Sequence, residues 1–378
     1  PGPFASMFLS DLGADVIRIE SPSRPDMVRL LPPSDGGVGA CHAFLNRSKR
    51  SLSLDLKNPA GVEVIKSLVK EYDIVLEQFR PGVMDRLGVG YEALKAINPG
   101  VIYCSITGYG QTGPFKDRAG HDLNYLAIAG VLGYNGRKAS GPAPINVQVA
   151  DVAGGSFHAV MGILAAVIHR SKTGEGQFVD VSMTDAAFSL HALTAPPALV
   201  GGLEPGLENT QLNGGTFYDC YETQDGRYMS VGGLEPQFFL QFVSALGHPE
   251  WAPKGVMISP DVQKPLKEDI AAIMKTKTFA EWSEIFAKLD ACVEPVLSFT
   301  EATVSPQAQA RNFIVEVPKP DGTKQRQLAH PIKYSKTQPR YDYIGAALGE
   351  HTREILREAG LDDAAIDGLI KSGVVSTQ

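Results

Sequence analysis

Ser51-Leu-Ser-Leu-Asp-Leu-Lys57, running into Asn58-Pro59, is the stretch on which the fold turns. Leu52, Leu54 and Leu56 alternate with polar residues at the two-residue period of a half-buried strand. Asn58 is a preferred N-cap and Pro59 suits the first helical position, so a helix opens there through Val62, Ile65, Leu68 and Val69. Asp73-Ile-Val-Leu-Glu77 reads as the following strand, which completes one strand–helix–strand unit. On the N-terminal side, residues 1–12 read as a helix with Phe4, Phe8 and Leu12 on one face and Gly13 at its end. Ala14-Asp-Val-Ile-Arg-Ile-Glu20 is then a strand stopped by Ser21-Pro22. A helix feeding a buried strand is half of a unit, and Pro1 is not a methionine, so a preceding strand is expected outside this sequence. On the C-terminal side come a helix over 91–97, a strand over 101–106, a long helix from about Asp151 to His169 and a strand over 177–182. Alternating units of this kind predict an α/β domain built on a doubly wound parallel sheet with helices on both faces.

Near Leu199 the texture changes. Residues 217–222 and 228–231 flank Gln224-Asp-Gly226, which signals a hairpin. Helices over 237–246 and 279–289 and a strand over 293–299 make a smaller α+β region. A further hairpin turns at Asp321-Gly322, and helices over 351–358 and 364–371 close the chain. The expected organisation is a large domain over 1–199, a small domain over 200–300 and a segment over 301–378 that returns to the first.

With 43% hydrophobic and 20% charged residues, the 378-residue chain has a globular composition. A net charge of −7 argues against sequence-independent binding of nucleic acid. The longest apolar run, 159–168, falls short of the ~18 residues that span a membrane, so no membrane partner is expected. Cys41, Cys104, Cys220 and Cys292 lack CxxC spacing and read as buried, reduced thiols, with neither a disulfide framework nor a metal site. No signal or transit segment is visible and the final Ser-Thr-Gln is not a peroxisomal address, so the cytoplasm is the expected location.

Gly108-Tyr-Gly-Gln-Thr-Gly113 follows a strand and fits GxGxxG, but Pro114 opens no helix and no acidic residue lies ~20 positions on to hold a ribose. It reads as a glycine loop near a ligand rather than a dinucleotide site. Arg47, Lys49, Arg50 and Lys57 cluster in an acidic chain, and Glu77-Gln-Phe-Arg80-Pro-Gly82 and Arg86 follow the next strand. Such charges beyond strand ends suit phosphates, or form a solvated basic face. Gly120-His-Asp-Leu-Asn-Tyr125 opens a helix, with His121 at its start, where free N–H groups suit a developing oxyanion. Asp151-Val-Ala-Gly-Gly155 opens another, with glycines that would admit a substrate chain. His121 and Asp151 are either caps or an acid/base pair; spacing alone does not decide.

These motifs resemble the family III CoA-transferase superfamily (CaiB/BaiF-like). The matching stretches are Pro1-Gly-Pro-Phe4, Asp11-Leu-Gly-Ala-Asp-Val16, Lys49-Arg-Ser-Leu-Ser-Leu-Asp-Leu-Lys57, Phe79-Arg-Pro-Gly-Val83, the 108–113 glycine loop, Gly120–Tyr125, Gly176-Gln-Phe-Val-Asp180, Gly233-Leu-Glu-Pro-Gln-Phe238 and Asp290-Ala-Cys-Val-Glu-Pro-Val296. The resemblance implies a large Rossmann-like domain, a small domain and a homodimer of two interlocked chains. It implies an acyl-CoA thioester as substrate and no cofactor. Transferase members carry an aspartate nucleophile where Asp151 falls; there, CoA would pass between carboxylic acids through an Asp151 anhydride. Racemase members carry the His-Asp pair seen at His121-Asp122, with a glutamate matching Glu235 that pairs with the histidine. On that reading His121 and Asp151 exchange the C2 proton, Glu235 orients the imidazole, and the backbone N–H near Asp122 holds the enolate oxygen. CoA contacts would fall on Leu54, Lys57, Gln78, Phe79, Arg80 and Arg86, with Tyr125 near the thioester. Three features depart from the racemases: Ser21 replaces an arginine, Asn213-Gly-Gly215 replaces Asp-Gly-Gly, and Ala43–Arg47 is closer to the transferases.

Overall fold

The computed structural model describes residues 1–377. They divide into two units. Unit 1 comprises residues 1–128, 146–190 and those from 306 on; unit 2 comprises 129–145 and 191–305. The excursion over 129–145 has no counterpart in the sequence reading, which drew its borders at 200 and 301.

In unit 1 the alternating stretch forms the strand Arg50–Leu54, which pairs in parallel with Ile17–Glu20. It ends earlier than the leucine pattern suggests, because the Asp55 carboxylate takes the N–H of Lys57 and turns the chain. Val375–Ser376 adds to its other side in antiparallel fashion, so the expected all-parallel sheet acquires one antiparallel edge. Two residues at the chain's far end carry no period that could have announced this. The strands Ile74–Glu77, Ile102–Thr107 and Phe178–Ser182 form a second, wholly parallel sheet. Asn58 caps the helix Pro59–Leu68 through the N–H of Ala60, as expected. Leu52, Leu54, Val64, Leu68, Tyr103, Ile355 and Val375 share one buried core. Each large aliphatic there contributes roughly 1.5–3 kcal/mol by leaving water.

The long helix runs from Val149 to Thr173, opening with a π-helical stretch, Val149–Phe157, before the α-helix His158–Thr173. Ala159, Val160, Ile163 and Ala166 face the protein interior; Met161, Leu164, Val167 and Ile168 are exposed. By length and composition this 25-residue helix could cross a membrane, with a mean hydropathy of 1.6 over its best window, of which a third is buried. The unbroken apolar run 159–168 is shorter than this helix because His158 bounds it on one side and His169-Arg170 on the other.

In unit 2, Asp219–Glu222, Tyr228–Val231 and Val293–Pro295 form an antiparallel sheet with the expected hairpin. The last strand stops short of residue 299, since Ser298 and Glu301 form a reciprocal cap that starts the helix Phe299–Val304. The helix Pro260–Met274, absent from the sequence reading, lays Leu266, Ile270 and Met274 on a core with Phe217, Phe239 and Trp282. Pro265 inside it obscures its four-residue spacing. The four thiols are free, but Cys104 alone is buried; Cys41, Cys220 and Cys292 are exposed, contrary to expectation. Cys104 lies on the fully buried strand 102–107, whereas Cys220 points away from the core between Asp219 and Tyr221.

Candidate active site

The glycine loop 108–113 leaves the strand Ile102–Thr107 and folds over the Tyr125 ring. A Cβ on Gly108 would sit 2.4 Å from that ring, and one on Gly120 would sit 2.7 Å from it. Those two glycines therefore exist to seat a tyrosine. Tyr125 is 7% exposed and donates its hydroxyl to the Gly120 carbonyl at 2.5 Å. Burial pushes its pKa up to about 12. The loop is held by Thr107 Oγ1, which accepts the N–H of Gly110 at 2.9 Å, and by Thr184 Oγ1, which donates to Gly108 O at 2.7 Å.

His121 follows Gly120 directly and its side chain is exposed. Its N–H donates to Oδ1 of Asn124, and its carbonyl accepts from the N–H groups of Asn124 and Tyr125, which starts the helix Asp122–Ile128. Asn124, the residue that closes this turn, was not singled out in the sequence. Asp122 turns inward: its Oδ1 accepts the N–H of Asp151 at 2.9 Å. The loop bearing His121 is thereby joined to the π-helical turn bearing Asp151. Burial raises the Asp151 pKa and the Asp122 carboxylate adds to the rise, while His121 opposes it. His121 is thus near enough for its charge to act on the Asp151 carboxyl. Ser156 Oγ donates to the Asp151 carbonyl at 3.1 Å and closes the wide turn. Gly154 and Gly155 are buried, with hypothetical Cβ atoms 3.2 Å from Met183 O and 3.0 Å from Met183 Cγ. They serve helix packing, not the approach of a substrate chain.

The basic stretch after Ala43 divides sharply. Arg47 is buried against Asp11 at 2.6 Å, between the Phe44 and Tyr341 rings. Lys49 donates to the carbonyls of Pro3 and Leu45 at 2.7 Å each, and Arg50 is shared by Asp15, Glu354 and Glu358. None of the three is free for a phosphate; Lys57 alone is exposed. Leu54 lies in the core at 1% exposure, so its side chain is closed to a ligand. Gln78, Phe79, Arg80 and Arg86 are all exposed beyond the strand Ile74–Glu77. There the Glu77 carboxylate accepts the N–H of Phe79 at 2.7 Å, and Gln78 Oε1 accepts that of Gly2. Arg80 also acts on the Tyr125 hydroxyl, favouring its ionised form against burial, so this segment and the His121 helix lie within electrostatic reach. In unit 2, Glu235 is exposed and starts the helix Pro236–Ala245 without a side-chain cap bond.

Known proteins give this arrangement a lineage. The chain is 37% identical to the human alpha-methylacyl-CoA racemase over 382 aligned positions, covering 100% of this chain and 94% of that protein. It is 32% identical to the human succinyl-CoA:glutarate CoA-transferase, over 99% of this chain and 86% of that protein. A crystal structure of a CaiB/BaiF family protein from Brucella suis superposes with a TM-score of 0.80 at 30% identity, covering 94% of this chain and 95% of that one. With residues 1–352 matching the profile of CoA-transferase family III, the chain belongs to that family.

Proposed function

We propose that this protein is a 2-methylacyl-CoA racemase working by 1,1-proton transfer. The observation that carries the reading is the joining of the His121 loop to the Asp151 turn through Asp122, which brings an imidazole and a carboxyl to one locale of unit 1. A C2 hydrogen next to a thioester carbonyl is acidic because its removal leaves an enolate with charge on oxygen. Inversion needs one group to take the proton and a second to return one on the opposite face. His121 and Asp151 fill these roles, each contributing ~10²–10⁴-fold as a general acid or base. The raised pKa of Asp151 suits it to holding a proton that a free carboxylic acid would lose. The Asp122 backbone N–H receives the enolate oxygen. That donor is a single amide and not a helix macrodipole, since the helix behind it has seven residues. Gln78, Phe79, Arg80, Arg86 and Lys57 receive the CoA moiety. Two chains interlock as a homodimer, which would cover the exposed Met161, Leu164, Val167 and Ile168.

CoA transfer is the second reading. It is favoured by the 32% identity to a succinyl-CoA:glutarate CoA-transferase and needs only Asp151 as nucleophile. One assay separates the two: a single enantiomer of a 2-methylacyl-CoA is incubated in deuterated water without an acceptor acid. Deuterium entry at C2 with loss of optical purity is the expected result. An inert C2, with acyl exchange once a free acid is added, replaces racemisation by transfer.

A further inference from the structure

Strand register in unit 1 sets three polar residues side by side near the strands' C-terminal ends. Glu77 lies opposite Ser105, and Ser105 lies opposite Asp180. Ser105 is fully buried, and its Oγ accepts from Nε2 of Gln111 at 2.8 Å. On its other flank the hydroxyl stands beside the Glu77 carboxyl and offsets part of the burial that pushes that group up. Gln111 also donates its backbone N–H to Oδ2 of Asp180 at 3.0 Å. The row therefore has two ends. At one, Glu77 takes the N–H of Phe79 and sets how residues 78–80 leave the sheet. At the other, Ser105 and Asp180 grip Gln111 and so pin the 108–113 loop. Tyr109 on that loop packs edge-on to Tyr125 at 5.2 Å, and its hydroxyl lies 3.0 Å from where a Cβ of Gly120 would stand, one residue before His121.

We propose that Ser105, with Glu77 and Asp180, is a positioning rung that fixes the CoA-facing segment 78–80 and the loop supporting His121 in one geometry. A buried or half-buried carboxyl without a cation partner is a poor stabilising device. Burial raises the pKa of both Glu77 and Asp180, so their retention in the sheet is explained by what they align. The inference rests on the acyl-CoA reading above.

The test compares three variants of the full chain. Asp180→Ala removes one of the two bonds that hold Gln111 and is expected to lower kcat for C2 exchange about tenfold with KM nearly unchanged, the scale of one lost positioning hydrogen bond. Asp180→Asn keeps an acceptor oxygen and should restore kcat to within about twofold. Ser105→Ala loosens both ends, so KM should rise as kcat falls. The same proteins are read without any chemistry by amide hydrogen exchange, where Asp180→Ala should speed exchange across 108–113 about tenfold and Asp180→Asn should not. A folded Asp180→Ala protein with unaltered loop exchange overturns the rung, as does unaltered kcat in an active enzyme. An inert wild-type protein overturns the racemase reading instead, while loop exchange still judges the rung.

Discussion

The backbone N–H of Asp151 donates to Oδ1 of Asp122 at 2.9 Å across 29 residues of chain. That bond holds a helix start and a π-helical turn in register. π-Helical turns recur at functional sites because the extra residue per turn re-aims a side chain. Asp122→Ala is expected to reduce C2 deuterium entry about 100-fold, since misplacing a reacting group by about 1 Å has that effect. Asp122→Asn still presents an oxygen to Asp151 and should stay within a few-fold. Steady-state rates of deuterium incorporation, measured by mass spectrometry, make the comparison.

His121 is exposed and its side chain supports no neighbour; the local turn is made by its backbone and by Asn124. His121→Ala should therefore abolish exchange at C2 while leaving the thermal midpoint unchanged and the affinity for free CoA within about a few-fold of wild type. Calorimetric titration with CoA supplies the control. A variant that racemises normally removes the imidazole from the mechanism.

Asp151 holds a raised pKa through burial and the Asp122 charge. In the interval above the ordinary carboxylate value, the folded protein binds more protons at this site than the unfolded chain does. Stability then falls as pH rises through that interval. Asp151→Asn keeps the shape without the charge. It should gain thermal stability at pH 7, show little gain below pH 4, and lose both racemisation and transfer. Melting temperatures across pH 4–8 check the sign.

The units of structure that periodicity can announce were legible in the sequence. Leu52, Leu54 and Leu56 marked a strand, and Asn58-Pro59 marked the helix after it. His121 and Asp151 stood out because each opens a helix beside glycines. What stayed hidden depends on three-dimensional neighbours. Arg47, Lys49 and Arg50 look like any basic cluster until Asp11, two carbonyl oxygens and Glu354 are found against them. The Ser105–Asp180 relationship spans 75 residues and exists only through strand register. Gly154 and Gly155 advertise close approach, but sequence does not say whether helix or substrate approaches.

The basic stretch supplies a test of that division. Arg47→Met would leave Asp11 buried without its guanidinium, which costs about 3–5 kcal/mol when one partner of a buried pair is lost. Lys57→Ala removes an exposed ammonium, so the melting temperature should hold. If Lys57 meets the CoA phosphates, KM for the thioester should rise several-fold, and its dependence on salt should weaken. Urea denaturation and KM at two ionic strengths distinguish the structural arginine from the binding lysine.

His42 makes unit 1 sensitive to acid. Its Nε2 donates to Ala346 O at 2.9 Å and its Nδ1 accepts from Asn46 Nδ2 at 3.1 Å, an assignment that satisfies both partners. Protonation would turn the accepting nitrogen into a donor facing another donor, and it would place a cation 3.0 Å from Arg29 Nη1. Burial, with Arg29 adding to it, brings the pKa down to about 4. Between that value and the ~6.5 of an unfolded histidine, the unfolded chain binds more protons than the folded one, so stability rises with pH through the interval. Lowering the pH from 7 to 5 is expected to remove about 2 kcal/mol through this group alone. His42→Gln loses the packing of the ring and is less stable at pH 7, but it should flatten the pH dependence over the same range. Urea midpoints at pH 5, 6 and 7 for both proteins decide it, and parallel curves would free His42 of the effect.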